Sequence, residues 1–258
     1  MALRDFAFRA LNKVRRQLGK KIHPFDLDDY LISPAQRAAL FAAESEGLQK
    51  VFCTHRGRTL EKWAHYLDVY ERYFAAYRNT PVKMLEIGVT GGGSLELWRN
   101  YFGESATIYG IDINPECAQR VTPPNQVRIG SQDDPEFLRR TASEMVELDI
   151  VLDDGSHFGK HQRVSFEVLF PFVRDGGLYV IEDLHMSYVP GLPEGGYRRK
   201  GTGIEYIKRM IDDMHSWYHQ KSALTPAKEQ IRAIHIFDSI VVIEKRKIER
   251  PSRVVIDR

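Results

Sequence analysis

Two short stretches bring together more acid than a soluble chain normally gathers in one place. Residues 148–157, LDIVLDDGSH, end in Asp153, Asp154 and His157; residues 176–184, GGLYVIEDL, contain Glu182 and Asp183. Each acidic set follows a near-continuous apolar run of strand length, so each leaves the C-terminal end of a buried strand. Neighbouring strands lie about 4.8 Å apart, close enough for the two sets to converge. Carboxylates held that close repel unless a cation neutralises them. An all-oxygen set without cysteine suits a hard ion, Mg²⁺ or else Mn²⁺ or Ca²⁺. The competing reading is that one acid of each pair caps the helix that follows. His157 comes three residues after Asp154. A histidine there titrates near neutral pH and can take a proton from a hydroxyl held by the ion.

A second constellation is VKMLEIGVTGGGS, residues 82–94. Val82, Met84, Leu85 and Ile87 form a short apolar strand, and Glu86 sits near its C-terminal end. The chain then turns through Gly88, Thr90, Gly91, Gly92 and Gly93 into a helix that Ser94 is expected to cap. Glycines allow a left-handed backbone and a close ligand approach. The spacing is not the G-x-G-x-x-G of a dinucleotide fold. A carboxylate two residues before the first glycine would repel a phosphate but suits an ammonium group. That points to an amino-acid-like ligand, S-adenosylmethionine, with Gly88, Thr90, Gly91 and Ser94 against it.

These residues need a scaffold that gathers them at one edge. TIYGIDINP reads as the next strand, with Asp112 at its end, 26 residues beyond Glu86, where an acid accepts from ribose hydroxyls. VRIGSQDDP is a third strand whose tip carries Gln132 and Asp133, expected at an adenine edge. Asp153 joins this cofactor set. Helical stretches PEFLRRTASEMVEL and HQRVSFEVLFPFV alternate with the strands, as in a parallel doubly wound sheet. IRAIHIFDSIVVIEKRK differs: two strands around a tight turn at 237–239 make an antiparallel hairpin. A seven-stranded, mostly parallel sheet ending in such a hairpin is the class I methyltransferase pattern. Between the fifth strand and the hairpin, residues 187–203 hold five glycines and two prolines, and an amphipathic helix covers 204–220. This is the composition of a lid or substrate segment, about 185–220.

The N-terminal portion, 1–58, reads as a helical extension to a domain spanning 59–258. Residues 1–21 form a basic amphipathic helix with seven Lys/Arg against Asp5. It is suited to an anionic membrane surface, or to packing on its own domain or on a partner subunit in a homo-oligomer. A helix over 34–49 follows, with Ser33 as cap, and then one from Thr59 carrying Leu60, Trp63, Leu67, Tyr70 and Phe74 on one stripe. Lys62, His65, Tyr66 and Tyr73 fall on its other faces, and the stretch 55–66 is expected to border the site.

At 258 residues the chain accommodates one large α/β domain plus the extension. A formal net charge of +2 does not mark a general nucleic-acid binder. Cys53 and Cys117 make neither a disulfide framework nor a metal motif, which favours a reducing cytoplasm. No apolar run has membrane-spanning length.

LEIG…GGGSLELWRNYF, YGIDI, DIVLDDGSHFGKHQRVSFEVLFPFVRDGGLYVIEDL and the upstream KWAHYLDVYERYF together resemble the metal-dependent sugar O-methyltransferases of macrolide antibiotics, polysaccharides and glycolipids. The resemblance covers roughly 54–188. It implies S-adenosylmethionine as methyl donor, Asp154, Glu182 and Asp183 as Mg²⁺ ligands, and His157 as general base. The acceptor would be a sugar hydroxyl on a small molecule or oligosaccharide, with His65, Tyr66, His185 and Tyr188 as candidate contacts. Where the family often has a second glycine this chain has Thr90, and a frequent insertion in the turn is missing. A catechol-type methyltransferase, a hydroxylase-related member of the superfamily and a non-catalytic scaffold are the alternatives.

Overall fold

A computed structural model describes residues 30–42, 46–192, 194–219, 225 and 229–256. The basic helix expected over 1–21 lies outside the described residues. The first helix, α1 (Pro34–Ala42), begins as the sequence suggests. Ser33 and Gln36 exchange backbone-to-side-chain bonds of 2.9 and 3.2 Å, a capping box. It does not run on to Gln49: α2 is a separate helix, Gly47–Thr54. Glu71, on the next helix, accepts from Leu48 N at 2.5 Å and fixes the start of α2.

α3 covers Tyr66–Phe74, not Thr59 onward. Residues 55–65 are drawn instead across the glycine turn, where Arg58 N donates to Glu96 Oε2 at 2.8 Å. A Cβ on Gly93 would lie 2.3 Å from the Thr59 carbonyl oxygen. Tertiary contact here overrides the helical periodicity.

Strands and helices then alternate. β1 (Lys83–Ile87), α4 (Gly93–Phe102), β2 (Thr107–Asp112), α5 (Cys117–Arg120), β3 (Gln126–Ile129), α6 (Pro135–Met145), β4 (Leu148–Asp153), α7 (Gly159–Leu169) and β5 (Val173–Ile181) follow in order. α8 (Gly203–Met214), α9 (Ser216–His219), β6 (Ile231–Ile236) and β7 (Val241–Lys245) complete the described elements. The seven strands form one sheet in the order β3-β2-β1-β4-β5-β7-β6. β7 is antiparallel to both β5 and β6, and the other pairings are parallel. This is the expected parallel sheet with a terminal hairpin.

Alternate residues of the central strands feed two cores, as a period of two requires. Leu85, Val151, Tyr179 and Val241 face one core with Phe166 of α7 and Tyr206 of α8. Met84, Ile150, Val180 and Val242 face the other with Leu48 of α2, Tyr70 of α3 and Trp98 of α4. The chain order reverses between β1 and β4, so a crevice opens outside the carboxyl ends of the strands, where this class of sheet receives ligands. Among the described residues, no helix is long and apolar enough to cross a membrane.

Candidate active site

The acids that end the strands leave that one edge. β1 ends in Glu86 and Ile87, β2 in Asp112, β4 in Asp153 followed by Asp154, and β5 is followed by Glu182 and Asp183. The crossing is tight: Gly88 has φ 93°, and a Cβ on it would stand 2.0 Å from the backbone oxygen of Asp154.

Asp154, His157 and Asp183 each present one donor atom within 4.8 Å of the others. His157 Nε2 lies 3.5 Å from Asp183 Oδ2. Asp183 is oriented from behind, because Oδ1 accepts from Trp63 Nε1 at 3.1 Å and Tyr66 OH at 3.0 Å. Both His157 (φ 61°) and Asp183 (φ 56°) hold left-handed backbone. Such strain of about 1–3 kcal/mol per residue persists where surrounding structure over-determines it, commonly at functional sites. The carboxylates at this spacing fit a hard divalent ion, since Mg²⁺ usually takes one or two carboxylates and fills its remaining positions with water or substrate.

Glu182 is placed differently. Lys62, its side chain 2% exposed, sets Nζ 2.7 Å from Glu182 Oε1 and 2.7 Å from Asp154 Oδ2. Tyr70 OH donates to the same Glu182 oxygen. Burial pulls the Lys62 pKa down, but Asp154, Glu182 and Glu86 outweigh it, so the net shift is upward and the ammonium is held charged. Burial, and then Asp154, push the Glu182 carboxyl up, while Lys62 opposes that shift. The sequence places Lys62 and Trp63 within the stretch 55–66 expected to border the site, but gives neither a partner, and it sets Tyr70 on an apolar stripe. The one usable signal was charge, since a single divalent ion does not balance so many buried acids.

The cofactor side is partly as expected. Glu86 is fully buried and accepts from Ser94 Oγ at 2.8 Å. Ser94 is therefore not a helix cap; Gly92, with φ 87°, holds the cap position of α4. Trp98 faces the same carboxylate without hydrogen-bond geometry, and among the described residues Glu86 Oε1 has no hydrogen-bond partner. A buried acceptor lacking a donor fits a ligand ammonium or its bridging water. Burial first, and then Asp154, push the Glu86 pKa up to about 7, against the opposing pull of Lys62.

Asp112 serves the turn directly: Oδ2 accepts from Val89 N at 3.0 Å and Thr90 N at 2.8 Å, and Oδ1 from Asn114 N at 2.8 Å. An ionised carboxylate has about four acceptor positions, so a ribose hydroxyl still finds one. Thr90 holds φ 52°, the left-handed conformation that glycine takes without strain.

Gln132 is engaged within the protein. It is buried and donates to Asp153 Oδ1 at 3.1 Å and Ser165 Oγ at 3.1 Å, beneath the strand tips. Asp153 is enclosed with it, and its pKa is pushed up to about 7 by burial. Asp133 does remain at the rim, accepting from Ser131 Oγ at 2.5 Å and facing His161 Nε2 at 3.4 Å.

Of the acceptor candidates, Tyr66 is fully buried and acts as a donor to Asp183. His65 pairs with the Asp238 carbonyl at 3.0 Å, and Tyr188 is 46% exposed. His185 meets Ser239 Oγ and lies 4.0 Å from Asp183 Oδ1. Trp63 packs edge-on to His185, with ring centroids 5.2 Å apart, and so joins the rim to the acidic cluster.

Comparison with known proteins gives a consistent picture. No family model matches the chain. The 8-demethyl-8-(2-methoxy-alpha-L-rhamnosyl)-tetracenomycin-C 3'-O-methyltransferase of Streptomyces olivaceus is 41% identical over 199 residues, which is 71% of this chain and 50% of that protein. Demethylmacrocin O-methyltransferase of Streptomyces fradiae is 35% identical over 240 residues, 85% of this chain and 59% of that one. The chain thus spans about half to three fifths of these relatives' length. The structure of the MycE methyltransferase from the mycinamycin biosynthetic pathway, in complex with Mg, SAH and mycinamycin VI, superposes with a TM-score of 0.69. It is 30% identical over 84% of this chain and 63% of that one.

Proposed function

We propose that this chain, a member of the class I sugar O-methyltransferase family, transfers the methyl group of S-adenosylmethionine to a hydroxyl of a glycosylated small molecule or oligosaccharide, with Mg²⁺ required. The observation that carries the reading is the meeting at one sheet edge of the Asp154–His157–Asp183 trio with the buried Glu86 carboxylate. When bound, S-adenosylmethionine supplies the methyl group, and a divalent ion supplies charge that makes a hydroxyl more acidic. Asp154 and Asp183 would hold that ion. Glu86 receives the amino-acid end of the cofactor, Asp112 the ribose and Asp133 the adenine edge. His157 Nε2 accepts the proton that the acceptor hydroxyl loses. Trp63 and Tyr66 keep Asp183 in place while this happens, and positioning of this kind can lower a barrier by about 7–11 kcal/mol.

Relatives whose names specify glycosylated acceptors, among them a rhamnosyl tetracenomycin, support a sugar over a catechol. The segment 185–220 is assigned the choice of acceptor, with His185 and Tyr188 at its start.

The test is a mass-spectrometric screen of mono- and oligosaccharides, rhamnosides and macrolide glycosides with S-adenosylmethionine and Mg²⁺. A methylated sugar, lost on chelation, is expected. Methylation of catechols with no glycoside accepted would overturn the acceptor class.

A further inference from the structure

His161 is the third residue of α7 and stands between two loops of the sheet edge. Its Nδ1 lies 2.8 Å from Ser156 Oγ, in the loop that follows β4. Its Nε2 lies 3.4 Å from Asp133 Oδ2, in the loop that follows β3. Ser156 Oγ accepts from Phe158 N at 3.4 Å, which leaves its own hydrogen for Nδ1. That pairing assigns the ring N–H to Nε2, on the side of Asp133. Phe158 packs edge-on against the ring, with centroids 5.4 Å apart. The Ser156 loop is itself pinned, because Ser156 N donates to Gln132 Oε1 at 2.6 Å. The imidazole is thus held on both faces of the gap between the loops. Ser131 Oγ holds the other oxygen of Asp133, Oδ1, at 2.5 Å. That hydrogen bond keeps the Asp133 carboxyl below its ordinary pKa; burial opposes it, and His161 and Lys160 add to it. An ionised carboxylate can only accept, so it selects ligand N–H groups.

We propose that His161 is a positioning residue that makes Asp133 the selector of the cofactor's purine, accepting a 6-amino purine and refusing a 6-oxo one. The inference rests on the placement of Asp133 at the adenine edge proposed above, and deepens it. Adenine offers an N–H donor at its 6-amino group, which the carboxylate accepts. A 6-oxo purine carries a carbonyl oxygen there, and two acceptors face to face repel. A group that hydrogen-bonds a ligand N–H rejects the analogue lacking it, because the group is left unpaired. That rejection depends on direction, since a carboxylate free to turn finds water instead. Ser131 and His161, one on each oxygen, remove that freedom. About four acceptor positions on the carboxylate leave room for the purine amino group beside them.

The experiment is calorimetry on the full chain with S-adenosylhomocysteine and S-inosylhomocysteine, with neither acceptor nor metal added. The second compound replaces the 6-amino group by oxygen. Wild type should prefer the adenosyl compound by about twentyfold. His161→Leu keeps an apolar contact for Phe158 but no donor, and its preference should fall below about fivefold. His161→Gln can set an amide N–H near the place of Nε2 and should stay above about fivefold. A preference still above about fivefold in His161→Leu would overturn the inference, as would a fall below that value in His161→Gln. Should His161→Leu not fold, Ser156→Ala frees the other side of the ring and should lower the wild-type preference by about half or more. A smaller change would then overturn the inference. Asp133→Ala separates the inference from the reading beneath it. Preference lost in Asp133→Ala but kept in His161→Leu would strike the role of His161 alone. Preference kept in Asp133→Ala, or absent in wild type, would remove Asp133 from the adenine edge and the inference with it.

Discussion

At Glu86 the usual ionisation of a carboxyl group at neutral pH is opposed by burial, which raises its pKa from 4.5 to about 7. The folded state then holds a proton that the unfolded chain loses above its ordinary pKa. This group's contribution is most favourable below about pH 4.5 and declines as pH rises to about 7. Glu86→Gln removes the titration. Relative to that variant, wild type should lose thermal stability between pH 5 and 8, on the order of 1–3 kcal/mol. Parallel pH–stability curves for the two proteins would contradict the assignment. A ligand ammonium favours the ionised form, so S-adenosylmethionine affinity should increase through the same window. His157→Ala should lower methyl transfer by roughly 10²–10⁴ while calorimetric binding of S-adenosylmethionine stays unchanged. Turnover equal to wild type at neutral pH would remove His157 from proton transfer. The convergence of Asp154, His157 and Asp183 was legible in sequence because strand ends announce themselves by apolar runs. The role of Lys62 was not, since a lysine in a polar loop looks the same whether it meets water or two carboxylates.

Among the elements, the glycine turn shows how two different needs produce similar letters. Gly88 is demanded by the crossing against Asp154, where Ala would meet both left-handed strain and a backbone atom at 2.0 Å. Gly88→Ala should lower stability in urea unfolding by about 2–4 kcal/mol. A loss under about 1 kcal/mol would show that the crossing relaxes freely. Thr90 is the opposite case, a β-branched residue at φ 52°. Relieving about 1–2 kcal/mol of left-handed strain outweighs glycine's added unfolded-state entropy, so Thr90→Gly should stabilise by about 0.5–1 kcal/mol. Destabilisation by Thr90→Gly would mean that its methyl packing matters more than its backbone. The alternation of strands with helices and the terminal hairpin could be read from the sequence, because buried strands show as short apolar runs bounded by turn residues. The starts of α3 and α4 could not. Tertiary partners decided both: Glu96 holds the 55–65 loop away from helix, and Glu86 takes the Ser94 hydroxyl that would otherwise cap. The partners of Gln132 were hidden for a similar reason, since nothing local shows that it donates to Asp153 and Ser165.

For the molecule as a whole, two cores packed on one sheet hold the acids rigidly at a single edge, and ligands should stabilise that arrangement by mass action. S-adenosylmethionine at 100 times its Kd should add about 2.7 kcal/mol, a rise in Tm of roughly 5–11 °C for a chain of this size. Asp112→Ala, which also deprives three backbone N–H groups of their acceptor, should forfeit most of that rise. An undiminished shift in this variant would exclude Asp112 from the cofactor site. The chain covers about half to three fifths of its curated relatives, yet the strand ends that carry the chemistry all lie within it. The most direct measurement is transfer of isotopically labelled methyl from S-adenosylmethionine to a glycosylated acceptor, assayed in metal-stripped protein with and without added Mg²⁺. Transfer should be absent without the ion, restored by Mg²⁺ in wild type, and not restored in Asp154→Asn or Asp183→Asn. Full transfer after exhaustive chelation, or restoration in either variant, would contradict an ion held by these two carboxylates.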